Sequence, residues 1–358
     1  MSHDNISTII RISFEQEKVS FGKITKTIDD YSGDHVGVTV IEQTKNGSTR
    51  DLTVKTEDED HRDQIISRLR NQSVNVIDIT DKTFQIHKDG KIEVRSKYDV
   101  ENHEDLSQVY TPDVARVSKA IDSDPSEASN YTIKQNTIAI VTDGSALLGI
   151  GNVKPEAALP VMEGKAMLFK QMAGVNAYPI CLETQDTEEI ITTVKNIAPS
   201  FGGINMEDIA GPKCFEIEQR LEEELDIPVF HDDQHGTAVV LMAGFLNALK
   251  LVNKELEDCK VVLTGIGAAG LACSKMLLHA GVENLIGVDT EGALVEGEHY
   301  ENDRWQWMAE HTNPNREGGE LSDVIKDADV FIGVSAPNIL GENDVKKMTD
   351  DAIVFAMA

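Results

Sequence analysis

The segment CKVVLTGIGAAGLACSKMLLHAGVENLIGVD, residues 259–289, constrains the fold more than any other part of the chain. KVVLT is an apolar, β-branched run and reads as a buried strand. Gly265, Gly267 and Gly270 follow at once in the form G-x-G-x-x-G, with Ala268 and Ala269 before the last glycine. LACSKMLLHAG has helical spacing, and NLIGVD is a second strand-like run closing on Asp289, 19 residues after Gly270. Together these make one βαβ unit. The glycines permit a tight turn and let backbone approach a pyrophosphate, which the free N–H groups of the helix N-terminus attract. Asp289 stands where a carboxylate accepts from ribose hydroxyls. Thr290 and Glu291 come next, with no Lys or Arg for a 2′-phosphate, which favours NAD over NADP. The expected cofactor-binding residues are therefore Gly265, Gly267, Ala268, Ala269, Gly270 and Asp289. The bland alternative is a glycine-tolerant turn in some other doubly wound fold.

A chain of 358 residues has room for two or three cores. Residues 7–80 order as strand, helix, hairpin, helix, strand: STIIRISF, FGKITKTIDDY, HVGVTVIEQ and TRDLTVKT about a KNGS turn, HRDQIISRLRN, VNVIDIT. This β-α-β-β-α-β order is the ferredoxin-like arrangement and resembles an ACT domain, a regulatory module that often binds amino acids. A dimerising domain with no ligand fits the same order. The expected division is an ACT-like domain at 1–85, a polar linker at 86–106 (with polar character starting near 82), a substrate and metal domain at 107–235, and a Rossmann-type NAD-binding domain at 236–358. The fold class is α/β, preceded by an α+β unit.

A net charge of −29 argues against nucleic acid as a partner, because a phosphate backbone needs a basic face. No apolar run in the sequence approaches membrane-spanning length. MSHDNIST lacks the pattern of a signal peptide, and the four cysteines form no C-x-x-C pair, so a cytoplasmic protein with reduced thiols is expected.

Two acidic pairs, Glu207-Asp208 in INMEDIAGPK and Asp232-Asp233 in VFHDDQHGTA, each follow a strand-like run. Neighbours on a strand point to opposite faces, so one acid of each pair can share a cleft. If Glu207, Asp208 and Asp233 converge, their hard oxygens suit Mg²⁺ or Mn²⁺. Spacing alone equally allows solvated acids and Asp233 as a helix N-cap. His231 and His235 read as packing or supporting residues. Lys165, in VMEGK between apolar segments, becomes a base if desolvation strips its proton. Tyr110, at a Thr-Pro turn, becomes an acid if a cation lies near. Taken alone, a lysine or tyrosine in such a setting is more often a surface or structural residue.

Taken together, VYTPDVA, TDGSALLGIGNVKPEAALPVMEGKAMLFKQMAGVNAYPI, INMEDIAGPKCFEIE, FHDDQHGTAVV, LTGIGAAGLACSKML and VFIGVSAP resemble the bacterial malic enzymes in sequence and order over about 107–358. The resemblance implies oxidative decarboxylation of L-malate to pyruvate and CO₂ with NAD and a divalent cation. It implies that Lys165 takes the proton of the C2 hydroxyl, that Tyr110 protonates C3 of the enol, and that Asp232 sets the charge and orientation of Lys165. It assigns Glu207, Asp208 and Asp233 to the cation, which stabilises negative charge at one oxygen in both half-reactions. It also implies a homo-oligomer, a dimer or larger.

The chain departs from the family pattern at Asp113 and Lys154, where glycine is usual, and at Asn176, where aspartate is common. Asp113 is expected to strain its turn if the backbone there has positive φ, and Lys154 to crowd a helix start. The family sequence continues past IVFAMA358 into asparagine-bearing loops, so the chain reads as truncated. Two rival functions remain: a malolactic enzyme, converting malate to lactate with bound NAD, and a catalytically impaired NAD-binding regulator that senses an amino acid.

Overall fold

The computed structural model describes residues 6–147 and 149–357. They form two compact units that divide between residues 93 and 94.

In the first unit β1 (Ile6–Glu15), α1 (Phe21–Asp30), β2 (Asp34–Gln43), β3 (Gly47–Thr56), α2 (Glu59–Arg70) and β4 (Asn75–Asp81) build an antiparallel sheet of order β2-β3-β1-β4. Alternation along β1 buries Ile10, Ile12 and Phe14 beneath Ile24 and Ile28 of α1 and Ile65, Ile66 and Leu69 of α2. Arg11 points to the other face and clamps Asp51 across the sheet at 2.7 and 2.8 Å. The helices start where side chains cap them: Ser20 accepts from the Lys23 N–H and Asp58 from the His61 N–H. Composition suggests that a linker begins near residue 82. The chain instead runs from β4 directly into α3 (Lys82–His87), which Asp81 caps and which lies beside β1 and β4. A strong N-cap overrides the polar composition there.

The second unit opens with α4 (His103–Val109), α5 (Val114–Ser123) and α6 (Ala128–Tyr131). A parallel sheet of order β6-β5-β7-β8 follows, from β5 (Thr137–Thr142), α7 (Pro155–Leu168), β6 (Asn176–Cys181), α8 (Thr187–Ile197), β7 (Gly203–Met206), α9 (Lys213–Glu224) and β8 (Val229–His231). The long α10 (Asp232–Val252) leads to a second sheet of β9 (Lys260–Thr264), α11 (Ala268–Ala280), β10 (Asn284–Asp289), β11 (Gly292–Ala293), α12 (Asp303–His311), β12 (Val330–Gly333) and β13 (Ile353–Ala356). Its order is β11-β10-β9-β12-β13, parallel except for β11. This is the doubly wound arrangement that the βαβ segment predicts.

Helix α10 corrects one sequence expectation. It has 21 residues, and an 18-residue stretch of it with a mean hydropathy of 1.4 is long and apolar enough to cross a membrane by length and composition. One face of it packs into the core, while Val239, Val240, Leu246 and Leu251 are exposed. Ala238, Leu241, Phe245 and Leu249 form a buried stripe in the nucleotide-side core with Leu271 and Leu277 of α11. A fully buried side chain of this size contributes about 1.5–3 kcal/mol. Its first turn carries Asp232 and Asp233.

The expected strain at Asp113 is absent, because its φ is −70°, an ordinary right-handed value. Lys154 is exposed at the residue before Pro155 and makes no side-chain capping bond to the helix it precedes.

Candidate active site

Three parallel strands of the first sheet in the second unit end at one edge and deliver the acids. Glu207 and Asp208 follow β7, the loop from Asp143 follows β5, and Asp232 and Asp233 follow β8. The carboxyl ends of parallel strands are the usual site of chemistry in such sheets.

Lys165, on the last turns of α7, reaches into this edge. Its Nζ lies 2.7 Å from Asp232 Oδ2 and 2.9 Å from Glu207 Oε1. Glu207 is 6% exposed, and its other oxygen accepts from Asn205 Nδ2 at 2.8 Å. Asn205 precedes Glu207 by two, so strand alternation puts both on one face; that spacing is the signal sequence reasoning missed. Burial works against the Lys165 ammonium, but the hydrogen bond to Asp232 and the charge of Glu207 outweigh it, so its pKa is raised. This corrects the expectation of a lysine neutralised by apolar walls. Its walls are carboxylates, and it holds its proton while both face it. Burial pushes Glu207 up to about 7 even with Lys165 beside it.

The second pair is arranged differently. Asp233 Oδ2 accepts from the Asp208 backbone N–H at 3.0 Å, and burial raises the Asp233 pKa. Asp208 is buried and has φ +53°, which turns the chain sharply after β7. Neither Asp232 nor Asp233 is an N-cap. His231 holds that position with no side-chain capping bond, and the two acids are the first two residues of α10. They diverge by the helical step of about 100° rather than by strand alternation. His231 is fully buried, with its Nε2 3.5 Å from Asp233 Oδ2, and His235 Nε2 meets Glu218 at 3.0 Å. The loop after β5 braces the turn from 207 to 210. Ser145 Oγ accepts from the Ala210 N–H at 2.8 Å, the Ala146 N–H donates to the Asp208 carbonyl at 3.0 Å, and Lys213 anchors buried Asp143.

These acids match a hard divalent cation in charge and donor type. Glu207 and Asp232 meet the ammonium of Lys165, Asp233 is bonded to the Asp208 backbone beside them, and burial pushes the Glu207 and Asp233 carboxyl groups up. The side chains do not form a closed cage: among the described residues no three acids, histidines or cysteines converge as cation ligands. Nor does the structure bring Tyr110 to Lys165. Tyr110 follows α4, is 70% exposed, and its hydroxyl has no hydrogen-bond partner among the described residues.

The nucleotide site lies at the carboxyl end of β9. Gly265 has φ +93°, and a Cβ there would lie 2.6 Å from Ser335 Cβ. A Cβ on Gly270 would sit 1.8 Å from the Gly265 carbonyl oxygen, so only glycine lets α11 pack against the turn. Gly267 faces open space, where a pyrophosphate needs close access. Ala268 and Ala269 open α11, and Asp289 ends β10, with Oδ2 accepting from the Ile266 N–H at 2.6 Å. These residues fit a dinucleotide.

Comparison with known proteins agrees with this geometry. The family described as malic enzyme, N-terminal domain, matches residues 89–189 and 183–222, and malic enzyme, NAD binding domain, matches 234–358. The NAD-dependent malic enzyme of Geobacillus stearothermophilus is 61% identical over 98% of this chain and 73% of its own length. The bifunctional malic/malolactic enzyme of Bacillus subtilis (strain 168) is 52% identical over 78% of this chain and 69% of its own. The crystal structure of the NAD-dependent malic enzyme of Thermotoga maritima superposes with a TM-score of 0.76 at 50% identity, covering 78% of this chain and 75% of that one.

Proposed function

The chain belongs to the malic enzyme family, and on that premise we propose that Lys165, Asp232, Tyr110 and the acids Glu207, Asp208 and Asp233 carry its chemistry. The reaction is NAD-linked oxidative decarboxylation of malate to pyruvate and CO₂. NAD would supply the hydride acceptor, and a divalent Mg²⁺ or Mn²⁺ would supply positive charge to offset the anion that develops in both half-reactions. Lys165 takes the C2 hydroxyl proton, and Asp232 holds its Nζ on line. Glu207, Asp208 and Asp233 would hold the cation, and Tyr110, given this role by the family resemblance and exposed in the single chain, would deliver a proton to C3. The observation that carries this reading is Lys165 gripped between Glu207 and Asp232 at 2.9 and 2.7 Å. With Glu207 serving as a ligand, Lys165 would keep only Asp232 as a close partner and would give up its proton more readily.

The test is an assay with malate, NAD and Mn²⁺ that follows NADH, pyruvate and lactate together. Net NADH in step with pyruvate, lost on chelation, is the expected result. Lactate without net NADH would instead favour the malolactic reading, which the Bacillus subtilis relative's name brings into view. No turnover of malate at all would leave the NAD-binding regulator. The same assay with a panel of amino acids tests whether the first unit is an ACT-like effector domain. An open cleft of about 540 Å³ supports that reading; Ser13, Lys18, Glu42, Thr44, Thr49 and Asn75 are among its lining residues. The chain is read as cytoplasmic, in keeping with its four unpaired cysteines.

A homo-oligomer completes the reading. No residue from 94 to 136 is buried, yet the segment carries Val94, Tyr98, Leu106, Val109, Tyr131 and Ile133 as exposed apolar side chains. Apolar surface of that extent calls for a partner surface, and a second copy of the chain supplies one. Sedimentation equilibrium at micromolar concentration is expected to give a dimer or larger, and a monomer there would remove this part of the proposal.

A further inference from the structure

Helix α9 buries a carboxylate that the chemistry above does not use. Glu218 is 6% exposed and stands in the apolar stripe Cys214, Ile217, Leu221. A carboxylate in such a stripe is costly unless its oxygens are fully engaged. They are, and every donor comes from one short stretch. Oε1 accepts from the His231 backbone N–H at 2.7 Å and from His235 Nε2 at 3.0 Å; Oε2 accepts from Gln234 Nε2 at 2.8 Å. These donors bracket Asp232 and Asp233. The junction has no side-chain N-cap of its own, so bonds from other elements, those of Glu218 among them, restrain the angle at which α10 leaves β8.

We propose that Glu218 is a positioning residue: it fixes the 231–235 turn, and so sets where Asp232 meets Lys165 and where Asp233 stands against the Asp208 backbone. The inference rests on the reading of Asp233 as a cation ligand. It goes beyond that reading by placing the control of ligand geometry on a different helix. A carboxylate accepts from all three facing groups at once, through charge-assisted bonds. An amide in its place loses that charge and keeps its N–H satisfied only if Gln234 turns its own amide over.

The test is Mn²⁺ affinity, measured by the electron paramagnetic resonance of free Mn²⁺, together with kcat and KM and the thermal midpoint of the metal-free protein. Glu218→Gln is expected to weaken Mn²⁺ about 10-fold or more, the range seen when outer partners of metal ligands are lost. It also lowers kcat. The exchange variant E218Q/Q234E restores one donor and one acceptor across the same gap and recovers the affinity to within about threefold. Leu221→Ala, buried on the same helix, lowers the midpoint but leaves Mn²⁺ affinity within about twofold. Unchanged Mn²⁺ affinity in Glu218→Gln overturns the proposal. So does a folded exchange variant that stays as weak as the single one, or a loss in Leu221→Ala equal to that in Glu218→Gln. A wild-type chain that binds no Mn²⁺ overturns the cation reading itself, and this proposal with it. If Glu218→Gln does not fold, the exchange variant alone decides by binding or failing to bind as wild type does.

Discussion

Lys165→Ala is expected to lower kcat for malate oxidation by about 10²–10⁴-fold, the range for loss of a positioned general base, while leaving NAD affinity within about twofold. The site predicts this split. Lys165 touches Glu207 and Asp232, whereas the G-x-G-x-x-G turn, Asp289 and the start of α11 lie on the other sheet of the unit. Lys165→Arg sharpens the result. A guanidinium keeps the charge facing both carboxylates but does not give up its proton at accessible pH. If Lys165 only balanced charge, Lys165→Arg would retain most activity; if it moves a proton, both variants fail alike. Equal NAD binding, followed by titration calorimetry, rules out a collapsed fold. The same pair of variants judges the regulator reading, since a protein that only binds NAD has no turnover to lose.

The fold was legible in the sequence wherever one local pattern sufficed. The glycine turn identified the nucleotide unit because each glycine answers a local steric demand: Gly265 by its positive φ, Gly270 by a carbonyl oxygen 1.8 Å from where its Cβ would lie. Period-two burial in β1 was readable for the same reason. Site chemistry was legible only through the resemblance, because it depends on distances between segments. Lys165 and Asp232 are 67 residues apart, and no spacing rule brings them to 2.7 Å. That gap produced the error over the lysine. Its neighbours in sequence are apolar, its neighbours in space are Glu207 and Asp232, and the second set fixes its charge. Glu218 left a fainter trace. It occupies the i+4 place in the stripe Cys214, Ile217, Glu218, Leu221, where an unpartnered acid would not be tolerated. Tyr110 shows the limit from the other side. Its role comes from the resemblance, and the single chain leaves it exposed.

Glu207→Gln carries two opposed consequences that one variant separates. In the presence of Mn²⁺ turnover falls roughly 10²–10³-fold, because a cation ligand worth several kcal/mol of charge stabilisation is lost. In the metal-free protein, kept so with chelator, the same change stabilises the fold at pH 8. Burial is the largest influence on Glu207 and puts its carboxyl at about 7, against an ordinary value of 4.5. Folded protein therefore takes up this proton before unfolded protein does. As pH falls from 8, stability from this group grows through pH 7 and is complete below about 4.5; as pH rises it is lost. The ionised carboxylate thus costs the metal-free fold about 1–3 kcal/mol above pH 7.5. Glutamine carries no such cost, so its thermal midpoint exceeds that of wild type at pH 8, and the two converge near pH 5. Mn²⁺ reverses the order, stabilising wild type by mass action and releasing on the order of half a proton at pH 7. A Glu207→Gln midpoint below wild type at pH 8 without metal would mean that Lys165 fully compensates the buried charge. The pairing at 2.9 Å would then be a finished ion pair rather than a place held for a cation.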